Sequence, residues 1–214
     1  MRTESVSASP FWAGMAVAYG WTVRSLARLG WKDQDGRNER RQAGAPAPAA
    51  RSADARIGDL LRAELVVPAI CAEGRDDVIE TLAMRMAACH PGLDAERLVA
   101  ALREREGQMT TALVDGVAIP HARMPGLDRT VAAFARSPGG IRWDSLDGVP
   151  TRLIFLLAGP ADLPGPYLKT LAGVSRLLSG ARCRTRLLEA AGEAEMLAVL
   201  RDEEDRGLRS VRAA

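Results

Sequence analysis

Residues 152–159 read Arg-Leu-Ile-Phe-Leu-Leu-Ala-Gly and form the most apolar run of the chain. A short, continuous apolar run of this kind is typical of a central strand that is covered on both faces. The stretches at 130–136 and 65–67 predict two further strands. Residues 112–122 hold Asp115-Gly116 between two apolar stretches, which indicates a hairpin or two short strands. The chain therefore contains the strands of a sheet whose centre is buried.

Helical patterns precede and follow these strands. Asp94 is a good N-terminal cap for the helix after it, and Gly107 is expected to end that helix. Pro164-Gly165-Pro166 is expected to break the chain before the next helix. The helices predicted from apolar spacing cover residues 57–61, 76–88, 95–106, 167–178, 181–191 and 193–204. Helices first, strands in the middle and helices last predict an α/β fold, with a mixed β-sheet sandwiched by helices.

Charge divides the chain at residue 56. The 214 residues carry 29 basic and 27 acidic side chains, and 47% are hydrophobic. These values exclude a wholly disordered chain, a multi-span membrane protein and a chain-wide nucleic-acid binder. Residues 1–56 hold nine basic and five acidic side chains, whereas the remainder holds 20 and 22. We expect a disordered N-terminal extension and linker over 1–56, one globular domain over 57–204 and a basic C-terminal tail over 205–214.

Two features bear on where the protein resides. The uncharged run over residues 5–23 has the length of a membrane span, but Ser, Pro and Gly dilute it and Leu and Ile are absent. The basic segment at 22–32 is compatible with a membrane surface or with a disordered extension. Cys71, Cys89 and Cys183 are odd in number, far apart and without a secretory signal. They predict reduced core cysteines in a cytoplasmic protein that has no integral membrane span.

Only two histidines are present, His90 and His121. The chain contains neither common phosphate-loop pattern, no zinc-ligand spacing and no hydrolase elbow, so we expect no metal and no cofactor. His90 precedes a proline in a predicted turn, which favours a structural role. His121 follows Ile119-Pro120 at the end of a short apolar strand. From the residues alone it is either a buried, hydrogen-bonded histidine or a nucleophile.

The surroundings of His121 resemble a known family. Arg105-Glu106, Thr111 and the run Gly-Val-Ala-Ile-Pro-His at 116–121 are similar to the signature of enzyme IIA type 2 of the phosphotransferase system, the fructose, mannitol and nitrogen-regulatory class. In that family the pattern runs R-E, then G-S-T-G, then G-I-A-I-P-H, and the spacing from Arg105 to His121 agrees without a gap. The resemblance covers about residues 57–204.

The resemblance implies that the protein is a phosphotransferase component. By similarity, His121 accepts a phosphoryl group from an HPr-like phosphocarrier protein and passes it to an enzyme IIB or regulates a target protein according to its phosphorylation state. Arg105 would supply a charged fork to the phosphoryl oxygens and Thr111 a hydroxyl donor. Because the donor is a protein, an apolar docking surface is expected near His121. Its candidates, which ordinary core packing would explain equally well, are Ile119, Met124, Pro125 and Leu127.

The chain departs from the family pattern at three positions. Tyr167 stands where the family carries a second histidine, which is thought to orient the phosphohistidine. A tyrosine hydroxyl can form hydrogen bonds but is not basic at pH 7. Met109 and Val114 replace two glycines near the expected phosphate site. Three hypotheses follow: a working carrier resembling the nitrogen branch, a regulatory binding module impaired in phosphorylation, and a scaffold in which His121 is only structural.

Overall fold

The computed structural model describes residues 56–212, with side chains through Arg209. The extension and linker predicted over 1–56, including the uncharged run at 5–23, therefore lie outside the described residues apart from Arg56. The elements in chain order are α1 (Ile57–Leu60), a 3₁₀ turn (Ala63–Leu65), β1 (Val66–Val67), α2 (Arg75–Cys89), α3 (Ala95–Gln108), β2 (Val117–Ala118), β3 (His121–Met124), β4 (Val131–Ile141), β5 (Thr151–Pro160), α4 (Pro164–Ser179), α5 (Ala181–Glu189) and α6 (Glu193–Arg212).

The strands form one mixed sheet in the order β1-β4-β5-β2, with β3 also paired to β5. β4 and β5 are antiparallel, with Phe134 opposite Phe155. β1 runs parallel to β4, and β2 and β3 both run parallel to β5. The mixed sheet predicted from the sequence is confirmed.

β5 is the buried centre of the fold, as its apolar run predicted. Every residue from Leu153 to Pro160 is buried. Ile154, Leu156 and Ala158 share one apolar core with residues of α2 and α3. The alternate residues face the opposite side of the sheet because successive side chains of a strand point to opposite faces. α4 and α5 pack against β5, so helices cover both faces.

Several helix ends differ from the sequence prediction. Asp94 caps α3 as predicted, accepting a hydrogen bond from the N–H of Arg97, but α3 continues past Gly107 to Gln108. α4 begins at Pro164 rather than after the Pro-Gly-Pro stretch. A proline is tolerated in the first turn because the N–H groups there have no intrahelical acceptor. α6 continues beyond Glu204 to Arg212, so most of the predicted tail is helical.

The cysteines occupy three different environments. Cys183 is buried, as predicted, but Cys89 is half-buried and Cys71 is exposed. Cys71 lies outside the core because it falls in the connection between β1 and α2. Among residues 56–212, the helices are too short or too polar to cross a membrane.

Candidate functional site

His121 is the first residue of β3, beside the centre of the sheet. It pairs with Leu157 of β5, and the N–H of Leu157 donates to the carbonyl of Pro120 at 2.9 Å. The side chain is 7% exposed. Its Nδ1 lies 2.7 Å from the carbonyl oxygen of Ile119. A carbonyl only accepts hydrogen bonds, so Nδ1 carries the proton and Nε2 carries the free lone pair.

The surroundings of His121 keep its imidazole neutral. The pKa of His121 is lowered from 6.5 to about 4, mainly by burial; the hydrogen bond to Ile119 acts in the opposite direction, and the positive charge of Arg105 adds to the lowering. A group with this pKa is unprotonated at pH 7. The ring therefore presents a nucleophilic Nε2 rather than an imidazolium.

Arg105 stands in the last turn of α3 and is half-buried. Its Nη1 donates to the carbonyl of Met109 at 2.9 Å, which fixes the guanidinium at the end of the helix. An arginine has five N–H donors in a planar fork, and within the described part of the chain this is the one hydrogen bond that Arg105 donates. The remaining donors are available to an anion beside His121.

Thr111 is buried, and both of its donors point to Glu106. The backbone N–H of Thr111 donates to the two carboxylate oxygens at 2.9 and 3.1 Å, and its hydroxyl donates to one of them. The indole N–H of Trp143 donates to the same carboxylate at 3.1 Å. Because a hydroxyl has one proton, Thr111 supports Glu106 in this arrangement instead of offering a donor to His121.

Sequence reasoning passed over Glu106 although it noted the Arg-Glu pair. Glu106 is 5% exposed, which is rare for a carboxylate. Its spacing contains the signal: Leu98 and Leu102 precede it by eight and four positions and are both buried. Residues four apart share one face of a helix, so Glu106 continues the buried face of α3.

Tyr167 lies against His121 from the first turns of α4. Their ring centroids are 6.4 Å apart and the planes are tilted by 48°. Tyr167 is 3% exposed. Its ring covers the backbone of Gly159 so closely that a Cβ there would lie 2.1 Å from a ring carbon. Glycine at 159 is therefore required for the observed position of Tyr167.

The hairpin before β2 is anchored at its Asp-Gly turn. Asp115 and Gly116 both have positive φ, 63° and 73°, a conformation that Asp-Gly turns commonly adopt in hairpins. The N–H of Asp115 donates to the carboxylate of Asp147 at 2.7 Å, and the Asp115 carboxylate accepts from Arg184 at 2.8 Å. An antiparallel bridge between Ala112 and Ala118 closes the hairpin. These contacts fix the segment that leads to His121.

The other predicted residues are placed as follows. His90 is the C-cap of α2, and burial together with Arg129 and Arg62 lowers its pKa. The predicted apolar docking surface is wrong for Ile119 and Met124, which are buried, whereas Pro125 is exposed and Leu127 is half-buried. Among residues 56–212, the His, Cys, Asp and Glu side chains form no group that could hold a metal ion.

The chain is similar in sequence and structure to a known protein family. The family model described as "Phosphoenolpyruvate-dependent sugar phosphotransferase system, EIIA 2" matches residues 59–203. A nitrogen regulatory protein of Bradyrhizobium diazoefficiens is 36% identical over 122 residues, 57% of this chain and 79% of the relative. A fructose-specific EIIA component of Haloferax volcanii is 37% identical over 107 residues, 50% of this chain and 70% of the relative. The crystal structure of the nitrogen regulatory protein IIA-Ntr from Neisseria meningitidis has a TM-score of 0.63 and 28% identity, covering 67% of this chain and 98% of that one.

Proposed function

Because this chain belongs to the EIIA 2 family of the phosphoenolpyruvate-dependent phosphotransferase system, we propose that His121 accepts a phosphoryl group from an HPr-like phosphocarrier protein. The observation that carries the proposal is the state of the imidazole: buried, neutral and protonated on Nδ1, with Nε2 free. A neutral imidazole nitrogen is a competent nucleophile near pH 7. The protein acts as a phosphocarrier of the regulatory, nitrogen-branch kind.

The transfer step follows from the tautomer. The lone pair of Nε2 attacks the phosphorus of the donor's phosphohistidine, and a new N–P bond forms as the donor's N–P bond breaks. The electron pair of the broken bond returns to the donor's ring nitrogen. The proton on Nδ1 stays in place, and its hydrogen bond to the Ile119 carbonyl stabilises the positive charge that the ring gains. Phosphoryl transfer depends mainly on positioning and charge neutralisation.

Arg105 is the group best suited to bind the phosphoryl oxygens. It is always charged, its planar fork matches phosphate geometry, and its charge acts on His121. In the unphosphorylated protein the same charge adds to the effect of burial in lowering the pKa of His121. The predicted phosphate contact of Thr111 requires its hydroxyl to leave Glu106, so we assign the hydroxyl a supporting role.

Tyr167 decides between a working carrier and an impaired regulatory module, because it occupies the position of the family's second histidine. Its buried ring beside His121 favours a shielded site. Its phenol is not basic at pH 7 and so cannot carry the positive charge that a histidine could offer to a phosphoryl group. The alternative function is thus a binding module in which phosphorylation of His121 is slow and the fold itself contacts the target.

We propose that three exposed apolar side chains near Arg105 and Tyr167 contribute to a docking surface for a protein partner. Met109, Leu163 and Leu168 are 39%, 47% and 41% exposed. Met109 accepts the hydrogen bond of Arg105, and Leu163 and Leu168 flank Tyr167. Large exposed apolar side chains beside a reactive group are suited to a protein partner. The relatives named nitrogen regulatory protein support a regulated target, although an enzyme IIB is a second possible recipient.

We also propose that the protein works in the cytoplasm. Its three cysteines are free thiols, two of them at least partly accessible. Free thiols are typical of a reducing compartment.

Phosphorylation with purified components tests the proposal. The protein is incubated with phosphoenolpyruvate, enzyme I and an HPr-like protein, and incorporation of labelled phosphate is followed. The wild type and His90→Ala are expected to take up label, whereas His121→Ala is not; His90 is the matched control because it is the other histidine. No label on the wild type would contradict the phosphocarrier function.

Substitutions of Tyr167 then separate the two functions. Tyr167→His is expected to raise the labelling rate if the tyrosine handicaps transfer, and Tyr167→Phe shows what the hydroxyl alone contributes. A pull-down of targets in both phosphorylation states completes the test. Binding that depends on phosphorylation supports the carrier-regulator, and binding that is indifferent to it supports the impaired module.

A further inference from the structure

We propose that Glu106 is a positioning residue that sets the tautomer of His121 through Thr111 and Ile119. The effect of Glu106 on phosphoryl transfer rests on the proposed function, whereas its effect on the tautomer does not. The carboxylate does not contact the imidazole; it acts through a continuous series of hydrogen bonds. Four residues form this series: Glu106, Thr111, Ile119 and His121.

The first link joins the end of α3 to Thr111. Both carboxylate oxygens of Glu106 accept from the N–H of Thr111, at 2.9 and 3.1 Å, and one also accepts from its hydroxyl. Trp143 donates to the carboxylate from the segment after β4. Hydrogen bonds to an ionised acceptor are stronger than those between neutral groups. Glu106 therefore holds the backbone of Thr111 firmly.

The second link joins Thr111 to the carbonyl that His121 uses. The N–H of Ile119 donates to the carbonyl of Thr111 at 3.1 Å. The carbonyl of Ile119 in turn accepts from Nδ1 of His121 at 2.7 Å. Ile119 is thus held on both sides: its N–H is bound to Thr111, and its carbonyl oxygen is bound to the imidazole of His121.

The position of this carbonyl decides which nitrogen is the nucleophile. As long as it faces Nδ1, the proton stays there and Nε2 is free. If it turns away, the two neutral tautomers compete and Nε2 is protonated part of the time. A protonated ring nitrogen has no lone pair for attack on phosphorus. The buried acid of the Arg-Glu pair thereby has a role distinct from that of Arg105, which acts on the phosphoryl oxygens.

Nitrogen-15 NMR of the unphosphorylated full-length protein at pH 7 tests the inference. The tautomer is read from the two ring nitrogens of His121, and hydrogen exchange of the Ile119 amide reports the intermediate link. The wild type is expected to show protonated Nδ1 alone. In Glu106→Gln, which loses the charge and one acceptor oxygen, and in Glu106→Asp, which is too short, the amide should exchange about tenfold faster. The form protonated on Nε2 should then reach about a tenth or more.

Two variants serve as matched controls. Trp143→Phe removes a hydrogen bond from the same carboxylate but leaves the link to Thr111, so the wild-type tautomer is expected. Thr111→Val removes only the hydroxyl and keeps the backbone N–H, so the tautomer should also persist. A folded Glu106 variant that keeps the wild-type tautomer and amide protection would overturn the inference. So would a loss of the tautomer in Trp143→Phe as large as in Glu106→Gln.

Labelling experiments extend the test to function. If His121 is the phosphoacceptor, Glu106→Gln should carry about a tenth or more of its phosphate on Nδ1, in proportion to the tautomer that is protonated on Nε2. Labelling on Nε2 alone would contradict the inference. Because the tautomer is measured without phosphate, a protein that is never phosphorylated would contradict the proposed function and leave the NMR result to decide the role of Glu106.

Discussion

Acidification is expected to protonate His121 only near pH 4, far below the range of an ordinary histidine. Burial is the largest cause of the lowered pKa, and the charge of Arg105 is a smaller one, while the hydrogen bond to Ile119 raises the pKa. The nucleophile would therefore stay available at pH 5, where an exposed histidine is mostly charged. This prediction tests the buried, neutral imidazole on which the proposed function depends.

The magnitude follows from the two pKa values. A fall from 6.5 to about 4 corresponds to about 3 kcal/mol of differential interaction, at about 1.4 kcal/mol per pKa unit. Since the folded state binds the proton more weakly than the unfolded state, the contribution to the free energy of unfolding is complete above pH 6.5. It is lost progressively as the pH falls from 6.5 to about 4, where the folded state also binds the proton. Between pH 7 and pH 5 the loss amounts to about 2 kcal/mol.

The assay combines a titration with unfolding experiments. The ring protons of His121 are followed by NMR from pH 7 to pH 3.5, and His121→Gln assigns the signal. Urea unfolding at pH 7 and pH 5 should show that the wild type loses about 2 kcal/mol more than His121→Gln. Arg105→Gln should raise the pKa of His121 slightly, because it removes a nearby positive charge. A midpoint at pH 6 or above in the wild type would refute the reasoning.

Three further substitutions test how the site is supported. Arg136→Met should lower the free energy of unfolding by about 3 kcal/mol, because Arg136 donates to the carbonyls of Pro68 and of three residues at the end of α5; urea unfolding measures it, and a change below 1 kcal/mol would count against this role. Gly159→Ala should displace Tyr167 and cost about 1–3 kcal/mol, since the new Cβ would meet its ring at 2.1 Å; unchanged contacts between the Tyr167 and His121 rings in NMR spectra would disprove the requirement. Asp94→Ala should cost about 1 kcal/mol by removing the cap of α3, as thermal unfolding can show, with Asp94→Asn as the variant that restores it.

The sheet was predictable because its strands coincide with apolar runs in the sequence. β5 could be predicted from its own residues alone, since eight buried positions in succession give a continuous apolar stretch. The ends of helices were less predictable, because the chain at Pro164 is compatible with either a break or a first turn. Tertiary contacts decide whether the helix includes Pro164, and the periodicity of apolar residues carries no information about those contacts.

The site was only partly predictable for the same reason. His121 and Arg105 stand in a recognisable sequence pattern. The hydrogen-bond partner of Nδ1 of His121, however, is a backbone carbonyl, which a pattern of side chains cannot predict. The engagement of Thr111 by Glu106 depends on how α3 meets the hairpin. The burial of Ile119 and Met124 was not predictable, because an apolar residue beside a reactive one has the same sequence signature whether it faces solvent or the core.

β5 determines the geometry of the site although it contributes no reactive side chain. His121 is registered on it through Leu157, and the ring of Tyr167 rests on Gly159, two residues further along the same strand. The connection from β5 leads directly into α4, so the strand also sets where Tyr167 begins its helix. A shift of β3 by one residue along β5 would turn the His121 side chain to the other face of the sheet. The separation of His121 and Tyr167 is therefore fixed by the register of a strand that is buried from Leu153 to Pro160. Replacing Tyr167 changes the chemistry at this position without changing the strand that holds it.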